Sequence, residues 1–548
     1  MTFSRRSTRA PARRWLCLVL AAALEASALL PTAAWAEGLE PLRLPGLGES
    51  ASDEFNLNTE KRVGEQIMRE IRRDPDYLDD PQLLEYVQGI WRPLVAAARQ
   101  RGSIGPDTDH LFPYELFLVR DRSVNAFALP GGYVGVHLAL IALTATPDEL
   151  ASVLAHELSH ITQRHIARSV SASSRSSSLG LAAMLLGLLV ASRASSPDAA
   201  QAAIVGGQAA MAQAQLNFSR DMEREADRTG LALMGGAGFA PVGMVGMFDK
   251  LDQNSRLNDS GGFPYLRSHP LTVERIGEAR QTVQASGGSL TSPPAPWLHT
   301  LMQVRARVLM DPSVQAMRRL QELDTRADMP QLPWIDRLTG VYGGTLASIR
   351  LRDFARAERS VLAAQLLLRE APSPVPPETR CAVDRLSAQL ALARGQASLA
   401  DAALVRTEQA GVRSRVGLLL RADWALLDGQ PDSLRHTAES LQIWVAEHRD
   451  DASAWQALSL LEERQGHRLR AIRAEAESQA ALGNLTGAMD RLRAGQRAAR
   501  QGGPGTDFIE ASVIDSRLRD LVAQRRQMLA EERQERGPRG GPSGDPQE

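Results

Sequence analysis

Residues 146–160, TPDELASVLAHELSH, contain the start of a helix and an H-E-x-x-H pattern. Thr146 and Glu149 form a capping box, and Pro147 stands at the first helical position, so the sequence predicts that a helix begins here. The H-E-x-x-H pattern, which starts ten residues after Thr146, then lies in the third turn of that helix.

The two histidines of this pattern are four residues apart. On an α-helix this spacing places the imidazoles of His156 and His160 on one face, one turn apart, so that both can reach one ion. Glu157 lies beside them, where it can reach a water next to the metal. The pattern therefore predicts a zinc site.

A catalytic zinc site also needs a third protein ligand and an open position. The metzincin arrangement would require glycine at 163 and histidine at 166, but the chain has Gln163 and Ile166. The first glutamate after Glu157 is Glu223, in the segment 219–227. We therefore expect Glu223 to be the third ligand.

Asp227 follows Glu223 by four residues, which places two carboxylates on one face of a helix. The first would bind zinc, and the second could hold a ligand histidine through its other ring nitrogen. Glu225 points elsewhere on the helix and is the main competing ligand.

A β-rich stretch precedes the motif. Residues 116–119 and 126–129 have β-type composition, and Pro130-Gly131-Gly132 predicts a turn into residues 133–136. An exposed strand beside the zinc could bind a peptide by adding it to the sheet. The alternative is a structural hairpin beneath the helix that carries the motif.

The chain divides by composition into segments. They are a signal peptide (1–36), a domain that carries the motif (37–285), a linker rich in glycine and proline (286–297), a helical domain (298–523) and a disordered tail (524–548). We place the export signal at the first segment because five arginines precede the apolar run 15–24, and Ala34-Trp35-Ala36 has the small-x-small pattern that signal peptidase cleaves.

The helical domain shows a degenerate repeat. A bulky residue, several small residues and a turn glycine recur at offsets that resemble a 34-residue tetratricopeptide repeat, at Trp455, Leu458, Gly466, Ala471, Ala474, Ala480, Gly483 and Ala488. Weaker signals contain Gly395 and Gly429. Stacked helix pairs of this kind hold a peptide or another protein, and the alternative is an ordinary helical bundle.

The composition excludes some classes of protein. The 548 residues are 43% hydrophobic and 23% charged, which excludes wholesale disorder. The formal charge is −1, and removal of residues 1–36, with five Arg and one Glu, leaves about −5. We therefore expect no nucleic acid as the main partner.

The motif helix, the later Ser-Arg-x-x-Glu-x-x-Ala-Asp segment (219–227) and the stretch NAFALPGGY (125–133) resemble the gluzincin peptidases related to HtpX and the CAAX prenyl proteases. With the signal peptide and the helical repeats, the chain is most similar to periplasmic members of this group. The resemblance implies a mainly α (α+β) fold, with a gluzincin-type metalloprotease domain and a small β-sheet, followed by an all-α tetratricopeptide-like domain.

The resemblance also implies the site. One zinc ion per chain would be bound by His156, His160 and Glu223, with Glu157 as the catalytic base. The segment 125–136 would supply a substrate-binding edge strand, and its first residues are Asn125, Ala126 and Phe127.

The role implied by the resemblance is that of an endopeptidase in the periplasm of a Gram-negative bacterium. Its substrates would be misfolded or stalled outer-membrane proteins, and the repeats would dock onto the outer-membrane assembly machinery. The alternative is a latched, mainly non-proteolytic chaperone or adaptor.

Two further histidines and one apolar run bear on regulation, packing and membrane contact. His269, in an His-Pro segment, is a candidate regulatory fourth ligand that would keep the enzyme latent, and the alternative is a plain turn residue. We expect His165 to be a surface or packing residue. The run 179–191 is too short to span a bilayer; an interfacial helix there would give the protein a peripheral membrane contact.

Overall fold

The computed structural model of the protein describes residues 55–172, 219–257, 264–287, 289–291, 294–325, 328–409, 411, 414–502 and 507–535. The predicted signal peptide, the apolar run 179–191 and residues 536–548 of the predicted tail lie outside the described residues.

The first half of the structure combines helices with a small sheet. Its elements are α1 (Leu57–Ile71), β1 (Tyr77–Leu78), α2 (Pro81–Gln100), α3 (Pro106–Leu111), β2 (Glu115–Val119), β3 (Ala126–Leu129), β4 (Tyr133–His137), α4 (Leu138–Leu143), α5 (Pro147–Thr162), α6 (His165–Ala172), α7 (Arg220–Gly236), α8 (Val242–Leu257), α9 (Pro264–Ser268) and α10 (Val273–Ala285).

The sheet has the strand order β1-β2-β4-β3. Strand β2 runs parallel to β4, and β3 forms an antiparallel hairpin with β4 that is closed by the pair Leu129 and Tyr133. Gly131 and Gly132 have φ angles of 75° and 89°, a left-handed conformation that suits glycine. The predicted hairpin is confirmed, and β3 is an edge strand.

Helix α5 carries the H-E-x-x-H motif through the centre of this half. The Thr146 hydroxyl accepts a hydrogen bond from the Glu149 N–H (3.2 Å), as the predicted cap requires. Helices α2, α7 and α8 and strand β3 surround α5, so that almost all of its residues are buried. Its polar side chains therefore find their partners within the protein.

The second half is helical. Its elements are α11 (Trp297–Met310), α12 (Val314–Gln321), α13 (Trp334–Arg350), α14 (Phe354–Arg369), α15 (Pro377–Ala393), α16 (Ala397–Gln409), α17 (Arg415–Asp428), α18 (Pro431–Glu447), α19 (Ala452–Arg464), α20 (Arg468–Ala481), α21 (Leu485–Gln501) and α22 (Phe508–Glu535), with short 3₁₀ turns at Glu322–Thr325 and Met329–Gln331.

Left-handed glycines separate consecutive helices of this half. Gly395, Gly429, Gly466 and Gly483 have φ angles between 68° and 81°, and these are the turn glycines that the sequence singled out. Consecutive helices pack against one another across these turns. The expected fold class, mainly helical with a small sheet and a helical C-terminal region, is confirmed.

The two halves share one hydrophobic core. Leu301, Met302 and Val308 of α11 belong to the same buried cluster as Leu138 and Leu154 of the first half. The predicted linker at 286–297 therefore connects two halves that pack together, and burial of a common apolar surface holds them.

The first part of the predicted disordered tail is helical in the structure. Helix α22 continues to Glu535, so residues 524–535 are helical. The run from 524 to 535 contains neither glycine nor proline, and its glutamates, arginines, glutamines and leucine are good helix formers, which accounts for the difference.

Among the described residues, none of the helices combines the length and apolar character that crossing a bilayer requires.

Candidate metal centre

The two histidines of the motif project from α5 toward the same point. His156 Nε2 and His160 Nε2 are 3.0 Å apart, and both side chains are buried. Two atoms that bind one zinc ion tetrahedrally at about 2.0–2.1 Å lie roughly 3.3 Å apart. The spacing of the motif therefore produces a pair of nitrogens that one ion can join.

Glu223 reaches the same point from the first turn of α7. The Ser219 hydroxyl begins this helix by accepting a hydrogen bond from the Met222 N–H. The Glu223 carboxylate oxygens lie 3.5 Å from His156 Nε2 and 3.5 Å from His160 Nε2. The structure thus brings the predicted third ligand to the two histidines.

The competing glutamate lies elsewhere. Glu225 Oε2 is 3.2 Å from His165 Nε2 and accepts a hydrogen bond from Arg168 (3.0 Å). His165 is fully buried, and its Nδ1 lies 2.8 Å from Nδ1 of His160. His165 is therefore not a surface residue: together with Glu225 it fixes the ring of His160, and burial lowers the pKa of His165 to about 4.

His269 completes the cluster from the segment that follows α9. Its Nδ1 is 2.9 Å from Glu223 Oε1 and 3.3 Å from His156 Nε2. One ligand atom from each of His156, His160, Glu223 and His269 lies within 4.8 Å of the others. The structure therefore places the candidate fourth ligand among the other three.

This donor set fits zinc. Two imidazoles and one carboxylate form the protein ligand set of many catalytic zinc sites, which keep a fourth position open. In this structure the imidazole of His269 lies at the remaining side of the set, so the four side chains together also fit a closed, four-coordinate zinc.

Asp227 and Arg275 contact the candidate ligands His156 and Glu223. Asp227 Oδ1 lies 2.9 Å from Nδ1 of His156, as expected from the four-residue spacing to Glu223. Arg275, on α10, donates to both oxygens of Asp227 (2.6 and 2.7 Å), and its Nη1 lies 2.8 Å from Glu223 Oε2.

Arg275 was not found from the sequence. The same Nη1 donates to the carbonyl oxygen of Pro270 (2.8 Å), next to His269. One guanidinium, 4% exposed, therefore contacts a ligand carboxylate, the carboxylate that orients His156, and the segment that carries His269. Arg275 lies 48 residues from Asp227 in the chain, and no local pattern marks it.

The electrostatics of the cluster follow from burial and from these partners. Burial alone would lower the pKa of His156, but Asp227 and Glu223 outweigh it and raise that pKa to about 9. Burial and the charge of His156 hold the pKa of His160 well below its usual value. Burial would raise the pKa of Glu223, but His269 and His156 lower it. Glu223 is therefore ionised, as a metal ligand must be.

Glu157 lies between the cluster and the edge strand. Its Oε2 accepts a hydrogen bond from the Ala128 N–H of β3 (2.9 Å), while Oε1 has no hydrogen-bond partner among the described residues and lies 3.6 Å from His269 Nε2. Burial raises the pKa of Glu157. A carboxylate with a raised pKa and one available oxygen can accept and return a proton.

The three residues expected to bind substrate begin the edge strand. Ala126 lies in the main core and Asn125 is buried. The ring of Phe127 packs over Gly135 and beside Phe117 and His137. The side chains of Ala126 and Phe127 are therefore engaged within the protein, and the main chain of β3 is the part of this segment that a peptide could pair with.

Comparison with known proteins agrees with this site. Residues 94–283 match peptidase family M48. A putative beta-barrel assembly-enhancing protease of Vibrio cholerae is 33% identical over 348 residues, which cover 64% of this chain and 67% of the relative. The chain belongs to peptidase family M48.

Other relatives extend this result. A beta-barrel assembly-enhancing protease of Yersinia pestis is 28% identical over 495 residues, 90% of this chain and 95% of the relative. The mitochondrial metalloendopeptidase OMA1 of Saccharomyces cerevisiae is 30% identical over 195 residues, 35% of this chain and 53% of that protein. The expected resemblance is confirmed: the protein is an M48 metallopeptidase, and its His-His-Glu group fits one zinc ion.

Proposed function

We propose that this M48 peptidase is a periplasmic zinc endopeptidase that acts in the assembly and quality control of outer-membrane proteins. The observation that carries the proposal is the position of Glu157, between the donor cluster and an edge strand. The relatives named beta-barrel assembly-enhancing proteases support the choice of substrate class.

The roles of the residues follow from their positions. His156, His160 and Glu223 would hold zinc, and Asp227 would fix the ring of His156. When bound, zinc supplies Lewis-acid chemistry, which acidifies water and polarises a carbonyl group.

Glu157 would act as general base and then as general acid. Its Oε1 removes a proton from the water that attacks the peptide carbonyl carbon, and it returns a proton to the amide nitrogen as the C–N bond breaks. The Ala128 N–H holds Oε2, which leaves Oε1 directed at the reacting groups.

Substrate would bind by its main chain. Within the part of the chain that the structure describes, strand β3 pairs with β4 on one side and with no strand on the other. A peptide that pairs with its other side needs no particular side chains, which suits a protease that acts on varied misfolded proteins. The segment from Asn125 to Phe127 would supply this edge.

The second candidate function is a latched chaperone or adaptor, and the position of His269 favours it. This imidazole lies among the three expected zinc ligands, and a catalytic zinc site keeps its fourth position open for water or substrate. In the resting state the protein would then act mainly through its helical repeats, which would dock onto the outer-membrane assembly machinery. Displacement of the His269 segment would convert this state into the active protease.

Two variants of the zinc-loaded protein test these functions, with casein as the probe substrate. We expect Glu157→Gln to lose cleavage by at least a hundredfold and to keep about one zinc per chain, since this residue is a proton carrier and not a ligand. We expect His269→Ala to cleave faster than the unaltered chain. Asp221→Asn, on an exposed carboxylate of α7, is the matched control. Unchanged cleavage by Glu157→Gln would rule out the proposed mechanism, and absence of cleavage by both the unaltered chain and His269→Ala would favour the adaptor.

A further inference from the structure

A buried glutamate outside the metal centre contacts both elements that form the active site. Glu60 lies on α1 and is 2% exposed. Its carboxylate accepts a hydrogen bond from Nε of Arg164 (3.1 Å), and its backbone carbonyl oxygen would lie 3.2 Å from a Cβ on Gly131. Glu60 lies outside the residues 94–283 that match the M48 family.

The first of these contacts fixes the end of the metal-binding helix. Arg164 follows the C-cap of α5 and is four residues beyond the ligand His160. Its backbone is left-handed (φ 51°), an unfavourable conformation for a residue with a side chain. Arg164 also donates to the carbonyl oxygen of Phe55 (3.0 Å). These contacts hold the strained residue in place and anchor the C-terminal end of α5 to α1.

The second contact fixes the turn of the edge hairpin. Gly131 is the middle residue of the turn between β3 and β4. The backbone of α1 approaches this turn so closely that a Cβ on Gly64 would lie 2.0 Å from the carbonyl oxygen of Pro130. Helix α1 therefore sets the position of the hairpin turn by direct backbone contact, and the backbone of Glu60 is part of this contact.

The two anchored elements face each other across the catalytic carboxylate. The Ala128 N–H of β3 donates to Glu157 of α5. The distance between β3 and α5 determines whether a peptide paired with the strand reaches the metal ligands. Glu60 connects to both elements, so it constrains that distance.

We propose that Glu60 is a positioning residue that fixes edge strand β3 relative to the metal-binding helix and so sets the affinity for extended peptides. This role rests on the proposed function, because it assumes that β3 binds the substrate. It follows that loss of Glu60 weakens binding of peptide more than it slows the chemical step, since Glu157 and the metal ligands keep their own partners.

The test compares steady-state kinetics of the zinc-loaded full chain and its variants. The probe is a ten-residue casein peptide with a fluorophore and a quencher at its ends. We expect Glu60→Ala to raise KM about tenfold, the order that loss of a buried hydrogen bond to a charged group gives, with kcat changed less than about threefold. Glu60→Gln keeps an acceptor oxygen for Arg164 and is expected to recover most of the loss.

The matched control is Asp324→Asn. Asp324 is also a buried carboxylate paired with an arginine, Arg356, but it lies in the helical half. If Glu60 only stabilises the fold, both variants lower the amount of active enzyme and leave KM unchanged, which would overturn the proposal. An equal rise in KM in Asp324→Asn would overturn it as well.

Hydrogen exchange of the backbone amides separates this proposal from the proposed function. We expect the amides of residues 126–132 to exchange faster in Glu60→Ala, and in Arg164→Lys if the first variant does not fold, while those of α8 and α13 do not change. If the unaltered chain proves not to cleave peptides, the proposed function fails, and the exchange still decides whether Glu60 fixes the strand. Unaltered exchange at residues 126–132 would refute the positioning role.

Discussion

The contact between Asp227 and His156 gives the most direct test of how the centre is held. Asp227 Oδ1 lies 2.9 Å from His156 Nδ1, and both side chains are buried. In Asp227→Asn an amide of the same shape replaces the carboxylate, so the charge is removed and the packing is kept. Arg275 retains its contacts with Glu223 and with the Pro270 carbonyl, which limits the damage to the fold.

The size of the effect follows from this single contact. A buried hydrogen bond to a charged group contributes about 1.5–3 kcal/mol. At about 1.4 kcal/mol for each factor of ten, its loss predicts a zinc dissociation constant higher by roughly 10- to 100-fold. The imidazole loses the partner that fixes its ring with Nε2 toward the metal, so we expect the weakening to appear in metal binding.

The assay is a competition titration of the metal-free chain against a fluorescent zinc chelator. Asp221→Asn is the control, because this carboxylate lies on the same helix but is exposed. Circular dichroism establishes that both variants are folded. A zinc affinity of Asp227→Asn within twofold of the unaltered chain would show that Asp227 does not hold the ligand, and the proposed role of this residue would be wrong.

Two further predictions concern stability. Burial lowers the pKa of His299 to about 4, and its ring contacts Tyr86 and the Thr144 carbonyl. The imidazole is therefore protonated more easily in the unfolded chain than in the folded one. We expect the free energy of unfolding to fall by on the order of 3 kcal/mol as the pH drops from about 6.5 to about 4. Urea unfolding at pH 7 and pH 4.5 should show a smaller loss in His299→Gln, and an equal loss would contradict this assignment. A Cβ on Gly135 would lie 2.4 Å from the ring of Phe127, so Gly135→Ala should lower the free energy of unfolding by about 1–3 kcal/mol. The added substitution Phe127→Leu should restore part of this loss in the same measurement, and no restoration would show that the ring is not the cause.

Local spacing made much of the site predictable. The four-residue interval between His156 and His160 defines a helix face whatever the rest of the chain does, and so does the interval between Glu223 and Asp227. The turn glycines at 131 and 132 were predictable because few other residues adopt a left-handed backbone. These are properties of neighbouring residues, which a sequence displays directly.

Other parts of the site depend on contacts between distant segments. Arg275 and Asp227 are 48 residues apart, and Glu60 and Arg164 are 104 residues apart. The partner of His165 is Glu225, which α7 brings to its ring. None of these residues belongs to a periodic pattern, because the packing of distant segments supplies their partners.

Spacing and turn residues act locally, so the sequence alone predicts the motif helix, the hairpin and the helical character of the second half. The position of His269, the pairing of Arg275 with Asp227 and the contact of α1 with the hairpin turn follow only from the tertiary structure. The physical reason is that a buried charge must find its partner wherever the folded chain places one, and that partner is not encoded by proximity in the sequence.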